Sequence, residues 1–219
     1  MRKLSAVIFD LDGVLVNTDL YHYRAWKQLA GELRMTFSEE QNHLLRGVSR
    51  EESLWIICRL NKRALPSAAE FKAQASRKNA YYVDMVADMT PSDVLPGGRE
   101  LLQCLRAAGV RCAIASSSKN APLVLARTGL ASLADAVADG SDITRSKPDP
   151  EVFLVAARKL GVPPGECIGV EDAPAGIEAI KAAAMVAVGV GPQVKDAALV
   201  VAAVTDLSVE RLRSLMVSA

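Results

Sequence analysis

Two carboxylates one residue apart, Asp10 and Asp12, follow directly on the apolar run Ala6-Val7-Ile8-Phe9. Two more, Glu171 and Asp172, follow Cys167-Ile168-Gly169-Val170. Three hydroxyls, Ser116, Ser117 and Ser118, follow Cys112-Ala113-Ile114-Ala115, and Lys147 stands just ahead of Asp149-Pro150. These residue types suit phosphoryl transfer. A phosphoryl group is negatively charged, so a carboxylate nucleophile is repelled unless cations intervene. A magnesium ion on Asp10 and Asp172 would lift that repulsion. Lys147 would add a second positive charge, and Ser116 a hydrogen bond to a phosphoryl oxygen. Attack by Asp10 would give an aspartyl-phosphate and divide one hard transfer into two easier ones. In extended backbone residues i and i+2 point the same way, so Asp12 can reach the same phosphorus as a general acid and base on the alcohol oxygen. Gly13 permits the sharp turn that must follow.

Taken singly, each feature has an ordinary structural explanation. Asp-x-Asp pairs also occur in calcium loops and turns, serine runs at strand-to-helix turns, and lysine before proline on surfaces; Glu171-Asp172 could simply cap a helix near Pro174. Their shared placement favours a single site. The four apolar runs, the last being Val186-Ala187-Val188, suit strands of a parallel sheet buried on both faces. Helical patterns lie between them, in Leu101, Leu102 and Leu105 and in Ile177, Ile180 and Ala184. Ala108-Gly109-Val110 and Leu160-Gly161-Val162 close helices through left-handed glycines, and Asp149-Pro150 opens one. The alternation predicts a doubly wound α/β layer, whose ligands bind beyond the carboxyl ends of the strands. All but the last of these strands ends in the polar groups named above.

Residues 17–92 have no strand signal, yet they hold eight of the ten aromatic residues. Trp26, Leu29, Ala30 and Leu33 are spaced as one helix face. Ser38 with Gln41, Ser49 with Glu52 and Ser67 with Glu70 are three capping boxes in succession. This predicts a helical unit inserted after the first strand, with residues 1–16 and 93–219 forming the α/β core. Thr90-Pro91-Ser92-Asp93 and Gly97-Gly98 mark the return to that core.

Phe9-Asp10-Leu11-Asp12-Gly13-Val14, Ala115-Ser116, Lys147-Pro148-Asp149-Pro150 and Gly169-Val170-Glu171-Asp172 together resemble the four motifs of the haloacid dehalogenase superfamily. The helical insert resembles its α-helical cap in position and length. Asn17-Thr18-Asp19 with Tyr21-His22, Leu45 to Leu54, Arg77-Lys78-Asn79 and Ser116 to Asn120 are similar to the sugar-phosphate mutase branch. The resemblance implies Asp10 as nucleophile and Asp12 as general acid and base. It implies one magnesium ion on Asp10, the Asp12 carbonyl and Asp172, with Glu171 in or beside the coordination shell. Ser116, Ser117 and Lys147 would hold the transferring phosphoryl group, and Arg50, Ser118 and Asn120 the other phosphate. Thr18, His22, Arg46, Gly47, Val48, Ser53 and Lys78 would shape the sugar site and control Asp12. A cis Lys147-Pro148 bond is implied as well. Arg46 and Ser117 stand where that branch has lysine and alanine; the first keeps the charge, and the second would donate mainly through its backbone N–H.

The implied reaction interconverts β-D-glucose 1-phosphate and glucose 6-phosphate, primed by β-glucose 1,6-bisphosphate. A mutase must deliver phosphate to sugar and not to water, which calls for a lid and a second anion point; Arg50 would supply the latter. The main alternative is a sugar-phosphate phosphatase on the same scaffold. A phospho-acceptor signalling domain is a remote one, because a helical insert after the first strand does not suit it.

The bulk composition agrees with an enzyme for a small-molecule sugar phosphate. Lys and Arg number 26 against 25 Asp and Glu, leaving no net charge to bind nucleic acid or another polyanion. No apolar stretch is long enough to span a bilayer, and the run ending at Phe9 is short for a signal peptide. Cys58, Cys104, Cys112 and Cys167 sit apart within apolar patterns and are expected as reduced core residues. A cytoplasmic monomer is the corresponding expectation.

Overall fold

The computed structural model describes residues 3–45 and 48–217, Val217 through its backbone alone. Strand β1 (Ala6–Phe9) lies at the middle of a six-stranded sheet, paired on one side with β2 (Arg111–Ala115) and on the other with β4 (Cys167–Glu171). Beyond them lie β3 (Ala136–Ala138) on one flank and β5 (Val186–Val190) and β6 (Leu199–Val201) on the other, in the order β3-β2-β1-β4-β5-β6. Every pairing is parallel. The predicted doubly wound sheet is therefore present. Its order reverses direction between β1 and β4, the crevice in which such sheets bind ligands.

The two edge strands β3 and β6 were not expected. Each has only three residues, too few for periodicity to separate a strand from a loop. The other four fall where the continuous apolar runs predicted them.

Alternation along the strands sends side chains to two packed layers. Val7 and Phe9 of β1 join Cys112, Ile114, Ile168, Val170 and Val188 on one face. That face is covered by α5 (Gly98–Ala107), α6 (Ala121–Thr128) and α9 (Val209–Val217), through residues such as Leu102, Leu125 and Leu212. Ala6 and Ile8 join Ala113, Ala115 and Ala187 on the other, against α7 (Glu151–Leu160) and α8 (Pro174–Ala182) with Phe153 and Ile180. Gly109 and Gly161 take the expected positive φ, 72° and 65°. α7 starts one residue later than expected: Pro150 is its N-cap, and Asp149 Oδ1 accepts from the Glu151 N–H at 3.0 Å. Ala184 was expected on the face of α8, but it lies beyond the helix end with φ 58° and is exposed. Cys58, Cys112 and Cys167 are buried free thiols. Cys104 corrects the expectation of a fourth. It is exposed, because the core face of α5 is carried by Leu101, Leu102 and Leu105.

Between β1 and α5 the chain forms α1 (Asp19–Glu32), α2 (Glu39–Asn42), α3 (Arg50–Leu60) and α4 (Ala68–Val86). Ser38 and Ser67 make complete capping boxes, with Gln41 and Glu70 returning the bond. Ser49 accepts from the Glu52 N–H at 3.1 Å, the outward half of its box. Trp26, Leu29, Phe37, Leu54 and Ile57 form a separate apolar cluster inside this insert, whereas Tyr82 and Val86 of α4 reach the cluster on the sheet. The chain leaves and returns side by side. Val16 bridges Val94, and the Leu95 N–H donates to the Leu15 carbonyl at 2.8 Å. No described helix is long and apolar enough to cross a membrane.

Candidate active site

Register places the chemistry. Phe9 is level with Ile114 and Val170, so Asp10 leaves β1 beside the ends of β2 and β4. Its N–H donates to the Val170 carbonyl at 2.9 Å, and the residue is buried. Lys147, in the loop before α7, reaches underneath. Its ammonium donates to Asp10 Oδ1, to Glu171 Oε2 at 2.7 Å and to the Ala115 carbonyl at 3.3 Å. Three donors thus meet three acceptors, one from each of the three central strand ends. The Lys147-Pro148 bond is cis, as the family resemblance implied.

Glu171 is held from both sides. Its Oε1 accepts from the Asp172 and Ala173 N–H groups, both at 3.1 Å, at the start of α8. Gly176 makes room for it, since a Cβ there would stand 2.0 Å from Glu171 Oε2. Gly13, with φ 83°, does the same for Asp172, whose Oδ2 lies 2.1 Å from where a Cβ would be. Two glycines therefore shape the floor on which three carboxylates converge. Asp10, Glu171 and Asp172 each offer an oxygen within 4.8 Å of the others.

The electrostatics of this cluster call for a cation. Burial raises the Asp10 pKa well above the usual carboxylate range; Glu171, Asp12 and Asp172 push the same way, and Lys147 opposes them. Asp12 is raised too, by burial first, against the hydrogen bond from the Thr18 hydroxyl to its Oδ1 and the attraction of Lys147. Burial pulls Lys147 down, but Asp10 and Glu171 outweigh it and hold the ammonium above its ordinary value. Among the described residues the Lys147 ammonium meets two of these carboxylates, Asp10 and Glu171, while Asp12 and Asp172 add to the negative charge around Asp10. An all-oxygen donor set with that charge excess fits a hard divalent ion such as magnesium and not a thiolate- or imidazole-seeking metal.

A cleft of about 780 Å³ opens above the cluster, lined by residues of the sheet edge and of the insert. Ser116, Ser117, Ser118 and Asn120 line one side. Ser116 Oγ accepts from the Ser118 N–H at 3.1 Å, and Ser118 Oγ from the Asn120 N–H at 3.2 Å, a staircase of short turns leading into α6. The Ser117 hydroxyl is buried without a hydrogen-bond partner among the described residues.

The insert contributes His22, Val48, Arg50, Ser53 and Lys78. Lys78 is buried, with its ammonium 2.8 Å from His22 Nδ1 and 4.9 Å from the centres of the Trp26 and Tyr82 rings. Burial and then Arg50 bring the Lys78 pKa down to about 7, against the pull of Asp12. Burial, Lys78 and Arg50 keep His22 well below its usual value, which favours the neutral imidazole beside the lysine. The Ser53 hydroxyl donates to the Ser49 carbonyl at 2.9 Å, a bond within its own helix. Arg46 and Gly47 lie outside the described residues.

Among the described residues, every buried polar or charged side chain except Asn42 and Thr128 is one that the sequence singled out for the site. Asn79 was not singled out as a site residue. Its Oδ1 accepts from Arg50 Nη2 at 2.7 Å and from Asn120 Nδ2 at 2.8 Å, joining the insert to the sheet edge. Its place next to Lys78, in a stretch that matches the family, was the available signal.

A family model for haloacid dehalogenase-like hydrolases matches residues 4–184, and the chain belongs to that family. It is 42% identical to a β-phosphoglucomutase of Bacillus subtilis (strain 168) over 212 residues, 95% of this chain and 94% of that protein. The crystal structure of β-phosphoglucomutase from Clostridium difficile is similar with a TM-score of 0.94 and 40% identity, covering 98% of each chain. A fructose-1-phosphate phosphatase of Escherichia coli (strain K12) is 29% identical over 86% of this chain and 97% of that protein.

Proposed function

We propose that this chain is a β-phosphoglucomutase, interconverting β-D-glucose 1-phosphate and glucose 6-phosphate through a phosphoryl group carried on Asp10. The observation that carries the proposal is the pairing of two unlike poles in one cleft. The Asp10–Lys147–Glu171 cluster lies at the sheet edge, and the Arg50 guanidinium of the insert supplies a cationic pole in the same cleft. A hydrolase needs the first pole; a mutase, which must also grip a second phosphate, needs both.

In the proposed cycle Asp10 attacks a phosphoryl group of β-glucose 1,6-bisphosphate in line, and the P–O bond to the sugar breaks. Asp12 gives its proton to the departing sugar oxygen, which its raised pKa favours. In the reverse step the Asp12 carboxylate takes a proton from the sugar hydroxyl that attacks the phosphorylated Asp10. Transfer to the 6-hydroxyl and then from the 1-position completes the isomerisation. Lys147 and Ser116 hold the transferring group, with the Ser117 amide; Arg50, Ser118 and Asn120 hold the other phosphate. Asp10, the Asp12 carbonyl and Asp172 would hold magnesium. Glu171 stands beside them, since its oxygens already serve Lys147 and two amides. When bound, the ion neutralises charge between nucleophile and phosphate. Residues 17–92 act as a lid that excludes water, with His22, Val48, Ser53 and Lys78 bordering the sugar and Thr18 restraining Asp12. The two-part division of the chain, and a monomer free of membrane and nucleic acid in the cytoplasm, belong to the same proposal.

The relation to a fructose-1-phosphate phosphatase keeps hydrolysis as a second reading. The two separate in one assay. With magnesium, β-glucose 1-phosphate and a hexose bisphosphate primer, glucose 6-phosphate should form faster than inorganic phosphate. A faster release of phosphate with every sugar 1-phosphate tried would make the chain a phosphatase. Arg50→Ala should cut isomerisation at least about tenfold, since one charge-assisted bond to a phosphate is lost. It should spare the turnover of 4-nitrophenyl phosphate, which has no second phosphate to grip. Equal loss on both substrates would give Arg50 another role.

A further inference from the structure

Three elements meet at one oxygen atom. Arg50 is the first residue of α3, Asn79 lies within α4, and Asn120 caps α6. Asn79 Oδ1 accepts from Arg50 Nη2 at 2.7 Å and from Asn120 Nδ2 at 2.8 Å. A guanidinium can only donate, which fixes the oxygen of the Asn79 carboxamide on that side. Both donors line the cleft; Asn79 is not among the described residues that do. Asn120 forgoes an ordinary role for this contact. An asparagine N-cap usually accepts from the first turn of its helix, and here its side chain makes no such bond. Arg50 is equally unusual in its partner. Among the described residues no carboxylate lies within ion-pair distance of it, so a neutral amide holds the guanidinium and leaves its charge unpaired.

A shared acceptor occupies one N–H of each donor. The guanidinium keeps its other N–H groups and the Asn120 carboxamide its second, now drawn to one point. We propose that Asn79 is a positioning residue for the second phosphate: it holds Arg50 of the insert and Asn120 of the sheet edge side by side and, being neutral, leaves the arginine charge for the ligand. A carboxylate at this position would hold Arg50 more tightly but compete with the phosphate for it. An apolar side chain would leave both donors free to wander, and ordering them on binding would cost affinity. A carboxamide meets both demands. The inference rests on the second-phosphate role given above to Arg50 and Asn120 and adds a residue that acts only through them.

The test is the half-saturating concentration of β-glucose 1,6-bisphosphate for loading Asp10 in single turnovers with magnesium. Asn79→Asp should raise it about tenfold with the maximal rate little changed. The melting temperature of that variant should stay the same or rise, because the new carboxylate pairs with Arg50. A purely structural side chain would move affinity and stability in the same direction. Asn79→Ala should raise the half-saturating concentration about threefold to fivefold. Neither variant should change turnover of 4-nitrophenyl phosphate by more than about twofold, since that substrate has no second phosphate. The effects of Asn79→Ala and Arg50→Ala should multiply to less than their product when combined, because one residue acts through the other. Unchanged affinity in both variants, equal loss with 4-nitrophenyl phosphate, a lower melting temperature for Asn79→Asp, or fully multiplicative losses with Arg50→Ala would each overturn the proposal. Should Arg50→Ala itself leave the half-saturating concentration unchanged, the second-phosphate role fails and the inference with it. A rise with Arg50→Ala but with neither Asn79 variant sinks the inference alone. Loading of Asp10 is read before sugar or water accepts the phosphoryl group, so the test holds for a mutase and a phosphatase alike.

Discussion

Asp10→Asn should lower phosphoryl transfer by on the order of 10⁴-fold or more while leaving the protein folded. The amide offers no anionic oxygen to attack phosphorus, and no neighbouring carboxylate is built to replace it. Asp12 is two residues on and tied to Thr18, and Glu171 is tied to Lys147 and two backbone amides. Stability should hardly suffer. Asp10 ionises against burial and against Glu171, Asp12 and Asp172, so a neutral isostere relieves repulsion, and Lys147 keeps Glu171 as its partner. Circular dichroism melts and single-turnover kinetics on the same preparations check both halves. Turnover of the asparagine variant within tenfold of the parent, without deamidation, would remove Asp10 from the chemistry.

Lys147→Met should damage both activity and fold. The loss of the cation beside the nucleophile should cost about 10²–10³-fold in turnover. The variant also leaves Asp10 and Glu171 facing each other with nothing positive between them, and removing one member of a buried ion pair costs about 3–5 kcal/mol. The sign of the pH dependence follows from the two kinds of group. The Lys147 pKa is raised, so its stabilising contribution is complete below the ordinary lysine value of 10.5 and fades only above it, as the raised folded-state value is passed. Asp10 is raised as well, so acidification protonates it at a pH above the ordinary 3.8 and abolishes the repulsion. The deficit of the methionine variant should therefore be largest at mildly alkaline pH and shrink toward acid. Urea unfolding across that range measures it, and a deficit that grows on acidification would contradict the assignment.

The legible and illegible parts of this protein divide along physical lines. The four central strands could be read because a strand buried on both faces must be a continuous apolar run, and the site because polar groups stop those runs abruptly at one edge. β3 and β6 could not, since three residues at the sheet margin carry no period. The insert announced itself through Ser38, Ser49 and Ser67, whose capping depends on side chains three residues away. What escaped was set by packing between distant segments. Cys104 was expected inside and is outside by one position on α5. The Ser53 hydroxyl bonds its own helix, and Asn79 joins Arg50 to Asn120 across 29 and 41 positions of sequence.

The account rests on Asp10 becoming phosphorylated when the acidic cluster is charge-balanced. Rapid quenching of the enzyme with magnesium and β-glucose 1,6-bisphosphate, followed by peptide mass spectrometry, reads that event directly. One phosphoryl group on the peptide from β1, located on Asp10 and absent from Asp10→Asn, is the predicted result. A phosphoryl group on Asp12 or elsewhere, or unmodified enzyme that still turns over at full rate, would contradict it.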